Sequence, residues 1–114
     1  MSLLPNGDRA IVEERKGTAY LLAPDHPSDG SKAAFFRTCG FRPEAWQDLA
    51  LALIRQGRTN EIVRSQETVF GTKYVIDGLL VAPDDTQYNI RSVWFVETGE
   101  QRPRLVTAYP QPRR

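Results

Sequence analysis

The sequence predicts an α+β fold, with N-terminal helices packed on one face of a C-terminal four-stranded antiparallel sheet. Two observations point there. In the first half apolar residues recur with helical period, most clearly Trp46, Leu49, Ala50, Leu53 and Ile54 along one face. After Gly57 the pattern shortens to an alternation rich in β-branched and aromatic residues, broken at turn-forming clusters. Helices followed by strands, with no internal repeat and no linker, predict a single domain over 1–114, its helical half at about 9–57 and its sheet half at about 61–110.

Residues 3–10 read as an irregular arm with a Pro5-Asn6-Gly7-Asp8 turn signal. Residues 13–22 carry acidic side chains early and apolar ones late, as a short helix does, although Gly17 costs about 1 kcal/mol relative to alanine in a helix. The stretch Ala23–Gly30, with two prolines and a glycine, is a loop. Ser31 or Asp29 then suits the cap of a second helix carrying Ala33, Ala34, Phe35, Phe36 and Cys39 up to Gly40. A third helix follows Arg42, with Pro43 in its first turn, and ends near Gly57. Four strands are expected at Glu61–Phe70, Thr72–Val81, Gln87–Glu97 and Arg104–Tyr109, joined by connectors short enough for a meander. Alternation turns Tyr74, Ile76, Tyr88, Ile90, Trp94, Val96, Val106 and Ala108 toward the helices. It turns Lys73, Val75, Asp77, Asn89, Arg91, Val93, Phe95, Glu97, Leu105, Thr107 and Tyr109 away. The core is expected to gather Trp46, Leu49, Leu53, Ile76, Trp94 and Val106.

Composition narrows the function classes. At 114 residues the chain can bury roughly two-thirds of its unfolded surface without staples. Fifteen basic against fourteen acidic residues leave a net charge of +1, which is not the footprint of a general nucleic-acid binder, although a local cleft can be basic on a neutral chain. The lone cysteine, Cys39, cannot form an internal disulfide, and no Cys/His cluster offers metal ligands, so neither a metal nor another cofactor is expected. No apolar run reaches the roughly 18–20 residues of a membrane span, and the first residues lack the pattern of a signal peptide, so the expected location is the cytoplasm.

His26 is the only histidine and sits in a proline-bounded loop, which makes it the one acid–base group ready at neutral pH. The bland alternative is a loop imidazole in solvent or on a backbone carbonyl. Lys32 opens the second helix. Lys73 and Arg91 fall on the sheet face turned from the helices, together with the hydroxyls of Thr107 and Tyr109 on the last strand. A phosphate needs such a mixture, cations for its charge and neutral donors for its orientation. Phosphate loops, HExxH and G-x-S-x-G elbows are absent from the sequence.

The segments LLPNGDRA, YLLAPDHP, KAAFFRTCGF, TKYVIDGLL, SVWFVETG and PRLVTAYP, in that order, resemble a family of small bacterial proteins of unknown function, from Leu3 to Pro110. More distantly the layout is similar to the barnase, EndoU, colicin and RelE-type ribonucleases. That resemblance implies a site on the sheet, cleavage by side chains without metal, RNA as substrate, and a dedicated neutralising partner. It matches His26 to the loop histidine and Thr107 and Tyr109 to the S/T-x-aromatic pair of the last strand, with Lys32 and Lys73 as candidates for the basic residue; Arg91, from its place on the shared sheet face, is a candidate for substrate binding. A second histidine, as EndoU-like members have, is missing, and Gly17 stands where a larger apolar residue is expected.

Two functions remain open at the level of sequence. One is a metal-independent ribonuclease of toxin type, in which the 2′-hydroxyl of RNA attacks the adjacent phosphate. The other is a non-catalytic interaction domain, one member of a paired bacterial system.

Overall fold

The computed structural model describes residues 2–14 and 35–111. The helix expected at 13–22, apart from its start, and the beginning of the second helix lie outside the described residues. Within them the chain runs through a 3-10 turn at Gly7–Arg9, helical residues 35–38, a second 3-10 turn at Pro43–Ala45, helix α1 (Trp46–Thr59), and strands β1 (Ile62–Thr68), β2 (Gly71–Val81), β3 (Gln87–Glu97) and β4 (Arg104–Pro110). The strands form one antiparallel meander in the order β1-β2-β3-β4.

The turn signals explain these boundaries. Residues 35–38 end in a Schellman motif: Gly40, at φ 103°, lets Gly40 N–H bond Arg37 O and Phe41 N–H bond Phe36 O. The accompanying apolar contact is Phe36 against Phe41, with ring centroids 6.5 Å apart. Between β1 and β2, Thr68 Oγ1 accepts from Phe70 N–H and Gly71 N–H and donates to Gly71 O. A Cβ at Gly71, φ 151°, would run into the Val96 carbonyl. Between β2 and β3, Asp85 N–H bonds Ala82 O across Pro83 and Asp84, and Asp84 Oδ1 accepts from Thr86 N–H.

One face of the sheet packs on α1. Leu49 and Leu53 of the helix are buried with Ile76, Leu80, Ile90, Trp94, Leu105 and Ala108 of the sheet, and Leu4, Ala10, Val12, Phe36 and Phe41 close the same core. Trp46, expected at the centre, is only partly buried against it. The helix does not stop at Gly57 but continues to Thr59. Gly57 serves contact rather than termination, because a Cβ there would press on the Trp94 indole at 3.0 Å. At the seam Gln56, 1% exposed, donates from Nε2 to Ile76 O and Ile90 O and accepts from Ser92 Oγ at 2.5 Å. Ser92 Oγ in turn accepts from Trp94 Nε1 at 2.8 Å. These hydrogen bonds satisfy the buried polar side chains of Gln56, Ser92 and Trp94.

The last strand departs from simple alternation. Thr107 pairs with Val93 but Leu105 pairs with Trp94, so Val106 is the extra residue of a bulge. Leu105 therefore joins the core at 1% exposure and Val106 faces out at 38%, the reverse of the expected assignment.

Cys39 is 4% exposed within the core cluster, as its position after Phe35 and Phe36 suggests. Burial pushes its thiol pKa up, against a hydrogen bond with Tyr88 that lowers it. A thiol reagent at mildly alkaline pH is expected to label the native chain far more slowly than the urea-unfolded chain; equal rates would mean that Cys39 is accessible.

Candidate functional site

The sheet face turned from α1 is built in rows set by register. The first row carries Gln66, Lys73, Phe95 and Arg104, the second Arg64, Val75, Val93 and Thr107, and the third Asp77, Arg91 and Tyr109. Val75 and Val93, at 4% and 8% exposure, make an apolar floor between polar rows. Across these strand positions four cations, Arg64, Lys73, Arg91 and Arg104, stand against two carboxylates, Asp77 and Glu97.

The third row is a fixed charge assembly. Arg91 binds Asp77 with both carboxylate oxygens, Nε to Oδ1 at 2.7 Å and Nη2 to Oδ2 at 2.9 Å. The hydrogen bonds to Asp77 and, less strongly, one to Tyr109 hold the guanidinium proton more firmly than in a free arginine, outweighing partial burial. Both partners of the pair keep about a quarter of their side-chain surface in solvent.

The first row is looser. Lys73 is exposed and makes no ion pair among the described residues. Arg104 reaches Glu97 only at 3.8 Å, with both side chains about half exposed, where water screens the pair. Phe95, half-buried, lies between Lys73 and Arg104. The bulge at Val106 is what turns Arg104 onto this face, and alternation along β4 alone does not reveal it.

The residues expected from sequence are thus distributed as follows. Lys73, Arg91, Thr107 and Tyr109 share the open face. They do not all meet at a point. Thr107 sits two strands from Lys73 and one row away, a backbone separation of roughly 12 Å from strand and residue spacing. Tyr109 and Arg91 are neighbours one row further on. His26 and Lys32 lie outside the described residues. Among the described residues no group of three His, Cys, Asp or Glu side chains is placed to hold a metal ion, and no helix is long and apolar enough to cross a membrane.

Fold and face together define a class: an α+β domain with a helix behind an antiparallel meander and a basic sheet face on which no helix packs among the described residues. The chain belongs to the DUF6883 family, a domain of unknown function whose profile matches residues 3–112. No curated protein matches the chain. Among solved structures the fold is similar to a chain of a contact-dependent growth inhibition toxin–immunity protein complex from Klebsiella pneumoniae 342. The TM-score is 0.69 and the identity 16%, over 94% of this chain and 97% of that one.

Proposed function

We propose that the chain is a metal-independent ribonuclease of bacterial toxin type, acting in the cytoplasm on the open sheet face and neutralised by a dedicated protein partner. The observation that carries this reading is the charge of that face. A chain of net charge +1 gathers four cations against two carboxylates there, around a half-buried phenylalanine. Cations hold phosphates and an aromatic ring offers a base a stacking surface. The fold likeness to a chain of a toxin–immunity complex supports membership of such a pair.

In this reading RNA lies across the strands. The 2′-oxygen forms a bond to phosphorus as the bond to the 5′-oxygen breaks, giving a 2′,3′-cyclic phosphate and a free 5′-hydroxyl. His26, the only histidine, moves the proton as general base or acid. Lys73, Lys32 or Arg91 stabilises charge on the phosphoryl oxygens, while Thr107 and Tyr109 hold the phosphate in line. The test is end-labelled RNA incubated with the chain in chelator. Cleavage to cyclic-phosphate ends is expected, reduced at least about a hundredfold in His26→Ala with an unchanged melting temperature. Activity that a chelator abolishes, full activity in His26→Ala, or intact RNA would overturn the mechanism.

A second reading, a non-catalytic interaction domain within a paired system, is favoured by one feature. Asp77 already neutralises Arg91, so this cation serves the fold as well as any ligand. Growth inhibition on expression, relieved by the genomic neighbour, separates the two when combined with the RNA assay.

A further inference from the structure

Among the described residues the sheet has three edge segments, and they are guarded differently. The outer edge of β4 is closed where it begins: Ile11 N–H bonds Pro103 O, and Leu105 N–H bonds Ile11 O. The outer edge of β1 carries a bulge between Ile62 and Arg64 and presents charged Glu67 near its end, both devices that discourage strand addition. The third place is the far half of β2. β1 pairs with β2 only as far as Ile76, so Asp77–Val81 extend past the end of β1 while remaining paired with β3 on the other side.

Which backbone groups face that gap follows from the ladder. Gln111 N–H bonds Asn89 O, so odd-numbered residues of β3 point their main-chain groups toward β4 and even-numbered ones toward β2. Ile90 opposes Gly78 and Tyr88 opposes Leu80. The even residues of β2 are thereby engaged, and Leu79 and Val81 turn N–H and C=O to the open side. Among the described residues nothing bonds them there.

Beside this edge runs a groove of about 340 Å³ between α1 and β2, lined by Leu51, Ala52, Ile54, Arg55, Gln56, Arg58, Leu79 and Val81. Its only charged side chains are Arg55 and Arg58, three residues apart on one side of the helix and without ion pairs among the described residues. Leu51 and Leu79 stand 67% and 44% exposed at its rims. Asn60 packs over Gly78 and donates from Nδ2 to Gln56 O.

We propose that this edge is a strand-addition site for an extended segment of a partner protein, with acidic side chains facing Arg55 and Arg58 and β-branched ones beside Leu79. Backbone bonds to Leu79 and Val81 supply affinity without sequence preference. The two arginines supply the preference, since a lysine-bearing strand would set like charges together in a confined groove. The site lies at the end of β2 away from Lys73, so it does not depend on the ribonuclease reading and leaves the open face accessible.

The probe is a short capped peptide alternating valine and glutamate, titrated into the isotopically labelled full chain. Saturable binding is expected, with the largest amide shifts at Leu79 and Val81. The combined variant Arg55→Glu, Arg58→Glu should weaken binding at least about tenfold. Val81→Pro removes an edge N–H that has no partner among the described residues, so the fold should survive while binding is lost. A peptide methylated on its edge-facing amides should not bind. The proposal is overturned by absence of saturable binding, by equal binding of the lysine-for-glutamate peptide or of the methylated peptide, or by shifts confined to β1 or β4.

Discussion

Replacing Trp94 with alanine is expected to cost about 3–5 kcal/mol, the usual range for truncating a large buried aromatic. Against a total of roughly 5–15 kcal/mol for a domain of this kind, that is a large share of the stability. The reason lies in three roles that one side chain fills. Its indole is fully buried, it fills the space that Gly57 leaves in α1, and its Nε1–H anchors the Ser92–Gln56 chain that ties helix to sheet. Truncation leaves a void beneath the helix and removes a donor from a buried hydroxyl. Trp94→Phe separates these parts, because it keeps most of the apolar volume and loses only the donor, so a loss of about 1–2 kcal/mol is expected. Urea titrations followed by circular dichroism measure both. An alanine variant within about 1 kcal/mol of the parent would contradict the packing described here.

The same seam shows what the sequence made legible and what it hid. The strands were readable because each is bounded by a turn with its own chemistry, and β3 runs over the expected residues, Gln87–Glu97. The inward set on β2 and β3 followed from the period of two. A glycine after a helical run reads as a stop, whereas α1 continues to Thr59 and Gly57 lets the Trp94 indole approach. Gln56 was invisible for a related reason: a polar residue beside an apolar stripe looks solvent-facing unless its buried partners are known. Leu105 and Val106 exchanged faces because a bulge inserts one residue into the count, and nothing in PRLVTAYP announces it. At the open face, alternation placed Lys73, Arg91, Thr107 and Tyr109 together. The clamp of Asp77 on Arg91 and the placing of Arg104 beside Phe95 depend on register between strands, which no single strand encodes.

If the chain is the ribonuclease proposed above, Arg91→Ala is expected to lower RNA cleavage by about two to three orders of magnitude, the usual loss on removing one preorganised charge-stabilising donor. Asp77 engages Nε and Nη2 and so fixes the plane of the guanidinium, which remains about a quarter exposed beside Tyr109. A cation held in place loses little freedom when a phosphate arrives, and this is how a structural pair can also serve a ligand. The variant should lose about 1–2 kcal/mol of stability as well, since the charge-assisted bonds are partly screened by water. Stability alone therefore cannot separate the roles, and the comparison with Asp77→Asn does. That change keeps the cation and an acceptor for it, so cleavage should fall less than about tenfold while stability falls in parallel with Arg91→Ala. Salt dependence gives an independent readout: losing a phosphate-contacting cation should reduce the slope of log affinity for single-stranded RNA against log salt by about 0.7, whereas losing Asp77 should not reduce it. If both substitutions changed cleavage and slope equally, Arg91 would be a structural partner of Asp77 only, and the RNA binding proposed for this face would have to rest on Lys73 and Arg104.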